Sequence, residues 1–351
     1  MRLPSFRRTA IAVAAGLLLL LTACGGNSEP SASSSGAATS SSPAAAAFPV
    51  SIEHKFGTTT ITAEPKRIVV VGLVEQDALL SLGVVPVATT EWFGEKPGAI
   101  WPWAEAKLGG AAKPEVLTNT DGIQFEKVAA LRPDLILGIY SGLTSEDYTT
   151  LAKIAPTVAQ PKDGIDFGAS WQDVTHTVGA AVGRKAQADK VVADVEAQIA
   201  AVRTKNPAFA GATALMATTY EGYYVYGPQD ARGRLLTDLG FKLPPGLADI
   251  TGKEFGADLS REHTDLLDTG VLIWLVDSYD EDKAKVQSDP LYSKLKVKTE
   301  GRDIFLENEE LEGAATSFVT VLSLPYLLEK LVPQLVAAVD GNPATAVERA
   351  S

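Results

Sequence analysis

The chain has 351 residues, a formal net charge of −12, 46% hydrophobic residues and a single cysteine. Such acidity excludes electrostatic capture of nucleic acid or of an anionic membrane surface. One cysteine excludes a disulfide-stapled fold.

Residues 1–23 read as a lipoprotein signal peptide. Arg2, Arg7 and Arg8 give a positive start, and residues 10–21 (AIAVAAGLLLLL) form an apolar run too short to span a bilayer. Leu21-Thr22-Ala23-Cys24-Gly25 matches a lipobox, which implies cleavage before Cys24 and acylation of Cys24 by palmitate-type chains. Each buried acyl methylene contributes about 0.8 kcal/mol, so several chains hold a protein at a membrane that its own surface does not enter. Residues 24–47 are Gly, Ser, Ala and Pro with one charge. That composition cannot offset its ordering entropy and reads as a disordered tether with a reach of about 25–30 Å. No other run is long and apolar enough to cross a bilayer.

The remaining roughly 300 residues are too many for one core and suit two lobes. In the first, residues 48–169, PVSIEHKFGTTTIT alternates apolar and polar residues on both sides of Phe56-Gly57 and predicts a hairpin. RIVVVG is a β-branched run of the kind found in buried parallel strands. EQDALLSLG predicts a helix closed by Gly83, VVPVATT a strand, IQFEKVAALRP a helix, DLILGIY a strand, SEDYTTLAKIA a helix and PTVAQ a strand. This alternation predicts an α/β lobe with a mostly parallel sheet. Residues 170–205 carry apolar residues at helical spacing. They predict a bridging helix about 50 Å long with Ser170 as its N-cap, and Gly179 and Gly183 as places for a kink or break. Residues 206–340 repeat the alternation: strands ATALMATT and YYVYG, helices ARGRLLTDLG and SREHTDLLD, strand VLIWLV, then RDIFLE. A long terminal helix follows from TSFVTVL onward, kinked at Pro325 and Pro333. Residues 341–351 predict a disordered tail.

Several of these segments together resemble the substrate-binding proteins of ferric-siderophore, haem and cobalamin ABC importers. The resemblance lies in PKRIVVVGLVEQDALLSLGVVPVATT, FEKVAALRPDLILGIY, YGPQDARGRLLTDLGF, LSREHTDLLDTGVLIWL, DPLYSKLKVKTEGRDIFL and VLSLPYLLEKLVPQL, in that order. It covers residues 50–338. It implies two α/β lobes with mostly parallel central sheets, joined by a single long backbone helix, with a ligand cleft between them. The implied function is capture of a ferric siderophore and its delivery to an ABC importer, by a monomer lipid-anchored at the outer face of the cell membrane. Haem or a corrinoid is the alternative ligand. A surface lipoprotein with a structural or partner-binding role is the alternative class.

In the family resembled, one surface glutamate on each lobe pairs with arginines of the permease. The matching positions are Glu126 in FEKVAALRPD and Glu262 in LSREHTDLL. Each also stands in the first turn of a predicted helix, where a carboxylate favours the helix dipole by about 0.3–1 kcal/mol. For the cleft, aromatic and basic residues are the candidates, because a ferric chelate is bulky and offers oxygens to arginine. Trp92, Trp101 and Trp103 crowd one loop, Tyr140 ends a strand, and Tyr223 sits in EGYYVYG. Arg232 and Arg234 open a helix, and Phe255 stands at a position that carries an aromatic contact in hydroxamate-binding relatives. Tyr224 and Tyr226 alternate along a strand, as core residues do. Two departures stand out. Hydroxamate binders carry an arginine near Thr120, and catecholate binders gather three or more basic residues, where only two are available here.

No cofactor or enzymatic chemistry is expected. His54, His176 and His263 are scattered, so no resident metal is expected either. Haem ligation by Tyr140 or by a tyrosine within 220–226 stays open. No G-x-G-x-x-G follows the first strand, and neither a phosphate loop nor a G-x-S-x-G elbow is present.

Overall fold

A computed structural model of the protein describes residues 48–219 and 222–349. Cys24, the signal peptide 1–23, the tether 24–47, Tyr220 and the last two residues lie outside the described residues.

The chain enters through an antiparallel hairpin, β1 (Val50–His54) and β2 (Gly57–Ile61), with Val50 opposite Ile61. The turn is Lys55 and Phe56, and Gly57 at φ +127 supplies a conformation open to glycine. The first lobe is built on β3 (Ile68–Val70), β4 (Ala88–Thr90), β5 (Glu115–Leu117), β6 (Leu135–Gly138) and β7 (Thr157–Ala159). All five are parallel, in the order β5-β4-β3-β6-β7. Helices α1 (Glu75–Ser81), α2 (Pro102–Glu105), α3 (Phe125–Ala130) and α4 (Ser145–Ala152) connect them. Side-chain alternation sends Ile68, Val70, Leu135 and Leu137 to one core and Val69 and Ile136 to another.

The bridge is two helices, not one. Ser170 caps α5 (Trp171–Ala181) by accepting the Asp173 N–H at 3.0 Å. Gly183 then takes φ +69, and α6 (Lys185–Lys205) starts afresh. A Cβ on Gly179 would lie 2.3 Å from the Ala188 Cβ, so glycine is what lets the two helices meet. α5 gives Val174 and Val178 to the first lobe, while α6 gives Val192, Val195 and Ile199 to the second.

The second lobe carries β8 (Ala214–Thr219), β9 (Tyr223–Tyr226), β10 (Gly256–Leu259), β11 (Val271–Val276) and β12 (Asp303–Glu307), in the order β10-β9-β8-β11-β12. Only β8, β11 and β12 are mutually parallel; β9 runs antiparallel to both of its neighbours. This lobe is therefore mixed. Its helices are α7 (Ala231–Asp238), α8 (Leu247–Thr251), α9 (Tyr279–Ser288) and α10 (Lys296–Thr299). SREHTDLLD is not a regular helix but a 3-10 stretch, Arg261–Leu267, broken at His263.

The terminal helix is also divided, into α11 (Leu311–Ser317) and α12 (Ser323–Val339). The break precedes Pro325 and is made by hydroxyls. Ser323 Oγ donates to the Phe318 carbonyl (2.8 Å), and the Ser323 N–H donates to Thr320 Oγ1 (3.0 Å). Pro325 then falls in the first turn of α12, where its missing N–H costs nothing, and Pro333 lies inside the helix. The tail is packed as far as it is described: Arg349 pairs with Glu307 and lies 4.5 Å over the Tyr279 ring.

Asp77 fastens the lobes together. Its Oδ2 accepts from Trp103 Nε1 at 2.9 Å and from Thr320 Oγ1, beyond α11, at 2.6 Å. Burial raises the Asp77 pKa to about 6 against both hydrogen bonds, and burial likewise raises Glu75 to about 7. A folded-state pKa above the unfolded one means the native state binds the extra proton, so these two groups make stability fall as pH rises from about 4 to about 7. Asp77→Asn keeps an oxygen for both donors and should flatten the lower part of this slope in urea unfolding across pH. Asp77→Ala should cost about 1–3 kcal/mol per orphaned donor at every pH.

Candidate functional site

The carboxyl ends of the first-lobe strands raise one aromatic wall. The loop after β4 presents Trp92 and Phe93, β6 delivers Tyr140, and Phe167 precedes α5. The Trp92 and Tyr140 centroids are 6.3 Å apart, and those of Tyr140 and Phe167 are 6.1 Å apart. Phe318, just past α11, is buried behind these rings, at 5.1 Å from Trp92 and 5.2 Å from Phe93. Tyr140 is held by its backbone. The buried Glu75 carboxylate accepts N–H bonds from Ile139 and Tyr140 (2.8 Å to the latter), and from Val74 (3.1 Å) through its other oxygen. Burial pushes the Tyr140 phenol up to about 12, and Asp230 adds to the effect, so it is a neutral hydrogen-bonding group at physiological pH.

The second lobe supplies the facing wall. Tyr224 and Tyr226 share one face of β9, with ring centroids 5.5 Å apart, and Phe255 stands 6.2 Å from Tyr224. The Arg232 guanidinium lies 3.7 Å from the Tyr226 centroid. Its Nε and Nη2 donate to the two oxygens of Asp230 at 2.9 and 3.0 Å, and Nη1 donates to Ser317 Oγ at 2.9 Å. Burial opposes its charge, but Asp230, with Tyr226 and Tyr140, raises the pKa against it. The fork-to-fork geometry is the strong form of a carboxylate–guanidinium pair. Against the first-lobe wall lies a cavity of about 530 Å³, bordered by Trp92, Phe93 and Phe167 and, from the second lobe, by Glu309.

Of the residues singled out from sequence, Trp92 borders this cavity, Tyr140 stands beside Trp92, and Arg232 and Phe255 stand with Tyr226 and Tyr224 on the second-lobe wall. Others fall elsewhere. Trp101 is 2% exposed and stacks on Trp103 at 5.1 Å, within 2° of parallel. The pair is a wedge at the lobe junction, with Phe318 on one side and Asp77 holding the Trp103 N–H. Tyr223 points to the other face of β9 because strand side chains alternate. Its ring lies 5.0 Å from Trp274, beside a separate cavity of about 220 Å³. Arg234 does not border this cavity; it donates to the carbonyls of Gln229 and, across the lobes, Ala169, the latter at 3.3 Å. Residues missed by the sequence reading include Phe93, Phe167, Phe318, Glu75 and Asp230. Glu75 left one sign, a charged residue in the apolar run that opens α1.

Glu126 is exposed in the first turn of α3, and Glu262 is exposed in the Arg261–Leu267 stretch. Neither has an ion-pair partner among the described residues. His54 is buried and bonded to Thr59 (2.9 Å). Among the described residues no group of three His, Cys, Asp or Glu could hold a metal, and no helix is long and apolar enough to cross a membrane.

Arg232 and Asp230 should behave as a unit. Arg232→Ala leaves Asp230 buried and unpaired and should cost about 3–5 kcal/mol in urea unfolding. The double replacement Asp230→Asn with Arg232→Met should cost much less than the sum of the two single changes.

A sequence model for the family described as "Periplasmic binding protein" matches residues 69–309. A putative ABC transporter substrate-binding lipoprotein of Bacillus subtilis is 26% identical over 72% of this chain and 79% of its own length. A probable siderophore-binding lipoprotein of the same organism is 28% identical, over 67% and 70%. Among solved structures, a periplasmic solute binding protein of Mycobacterium smegmatis is 35% identical, with a TM-score of 0.73 over 83% of this chain and 98% of that one. PiaA of Streptococcus pneumoniae, solved in complex with ferrichrome, is 27% identical, with a TM-score of 0.74 over 84% and 99%.

Proposed function

This chain belongs to the periplasmic binding protein family, and we propose that it is an exported receptor, lipid-anchored through Cys24, that captures a ferric siderophore between its lobes and delivers it to an ABC importer. It is a binding protein rather than an enzyme, and the iron chelate is its cargo. The observation that carries this reading is the cavity of about 530 Å³ bordered by residues of both lobes, with the Trp92, Phe93 and Phe167 rings on its rim. Its size suits a small molecule of many atoms, and pockets for such ligands are largely apolar with few polar groups. Trp92, Phe93 and Phe167 supply contact area on its border, and the Tyr140 hydroxyl, beside Trp92, supplies a hydrogen bond. Relatives named for siderophore binding, and the neighbour solved with ferrichrome, support the same ligand class. A phenol pushed up to about 12 disfavours haem ligation through a Tyr140 phenolate.

Delivery needs a surface for the importer. Glu126 and Glu262, one on each lobe, exposed and unpaired among the described residues, suit pairing with arginines of a permease. Such pairs orient a complex more than they tighten it. The protein acts as a monomer in this scheme, since both carboxylates come from one chain.

Intrinsic fluorescence of the chain from residue 24, carrying Cys24→Ser, should be quenched saturably by ferric hydroxamate, catecholate or carboxylate complexes, with submicromolar affinity for one class. Tyr140→Phe should weaken that binding by about tenfold, the worth of one hydrogen bond. No quenching by any ferric complex would remove the siderophore reading. The double variant Glu126→Ala, Glu262→Ala should still bind ligand and lose uptake in cells; unchanged uptake would remove the docking assignment.

A further inference from the structure

We infer that the cleft selects ferric chelates without net negative charge, of the trishydroxamate kind, over anionic triscatecholates and polycarboxylates. This deepens the siderophore reading and rests on it. Three carboxylates border the cavity, Glu91 and Glu95 from the first lobe and Glu309 from the second. No lysine or arginine borders it. None of the three glutamates has an ion-pair partner among the described residues.

The basic residues nearby offset them only in part, since none borders the cavity. Arg232 is 6% exposed and doubly bonded to Asp230, so the pair brings hydrogen-bond donors and no net charge. Lys96 lies 4.6 Å over the Trp101 ring. Arg234 is committed to backbone carbonyls. Lys253, two residues before Phe255, shares its exposed turn with Glu254.

Chelate chemistry turns this into selection. Hydroxamates carry one negative charge each, so three of them cancel the charge of ferric iron. Three doubly charged catecholates leave a trianion, and polycarboxylate complexes are also anionic. A trianion meets repulsion from every glutamate at the mouth, and the low-dielectric aromatic walls strengthen it. An uncharged complex meets none, and one bearing a pendant ammonium is attracted. Thr118, Asn119 and Thr120, on the same border, offer neutral donors and acceptors suited to hydroxamate and amide groups.

The test is competitive titration of the chain from residue 24 carrying Cys24→Ser, at low and high salt. The probes are an uncharged ferric trishydroxamate, a ferric trishydroxamate with a pendant ammonium, a ferric triscatecholate and ferric dicitrate. Both hydroxamates should bind at least about tenfold more tightly than either anionic complex at low salt, and salt should narrow that gap. In the triple variant Glu91→Gln, Glu95→Gln, Glu309→Gln, the affinity ratio of triscatecholate to ammonium-bearing complex should rise by about tenfold. An anionic complex binding as tightly as the uncharged one, or a ratio unmoved in the triple variant, overturns the inference and leaves the siderophore reading standing. Binding of none of the four overturns both.

Discussion

A sheet with parallel strands at its centre has two apolar faces, and both must be covered. Here one face of each sheet turns toward the same segment. Ala314 and Phe318, in and just after α11, pack into the first lobe, while Ala315 and Val319 pack into the second. The Trp101–Trp103 stack and the Asp77 hydrogen bonds close around this segment. A Cβ on Gly313 would lie 1.9 Å from the Glu307 carbonyl, so α11 sits directly on the end of β12. The shared segment ties the two lobes together and backs the Trp92 and Phe93 rings with Phe318.

Sequence carried a good part of this, and the residues show why. VLIWLV is fully buried in β11, and the β-branched run at β3 is equally buried, because apolar runs of strand length have few other uses. Ser170 caps α5 as its chemistry requires. Failures came where tertiary contacts decide. The sequence of β10, GADL, contains glycine and aspartate and becomes a strand only because β9 offers it an edge. The break before α12 is made by the hydroxyls of Thr320 and Ser323, in a segment that looks like a helix from its apolar residues. Gly179 and Gly183 look alike in sequence, yet one serves close packing and the other the turn.

The cleft was legible in its residue types more than in its membership. Crowded tryptophans signalled a special place, but whether a ring lines a cavity or fills a junction depends on neighbours far along the chain. Tyr223 and Tyr224 differ by one position, and strand alternation puts them on opposite faces. The acidic border was invisible, since Glu91 and Glu309 are far apart in sequence and meet only in the folded chain. Glu75 and Asp77 stand two residues apart on α1. One fixes the Tyr140 backbone and the other the lobe junction, so the shape of the cleft wall and the fastening of the lobes share a single short helix.

The shared segment has a thermodynamic consequence. A protein of two lobes commonly melts in two steps, each lobe with its own transition. In this chain neither lobe keeps a complete core once α11 and the residues just past it lift away, since each would lose an alanine and an aromatic or branched residue from its buried face. Cooperativity therefore extends across the junction, and heat should dismantle both halves in a single calorimetric event. Slow amide hydrogens in β3 and β11, though they belong to different sheets, then exchange through one common opening.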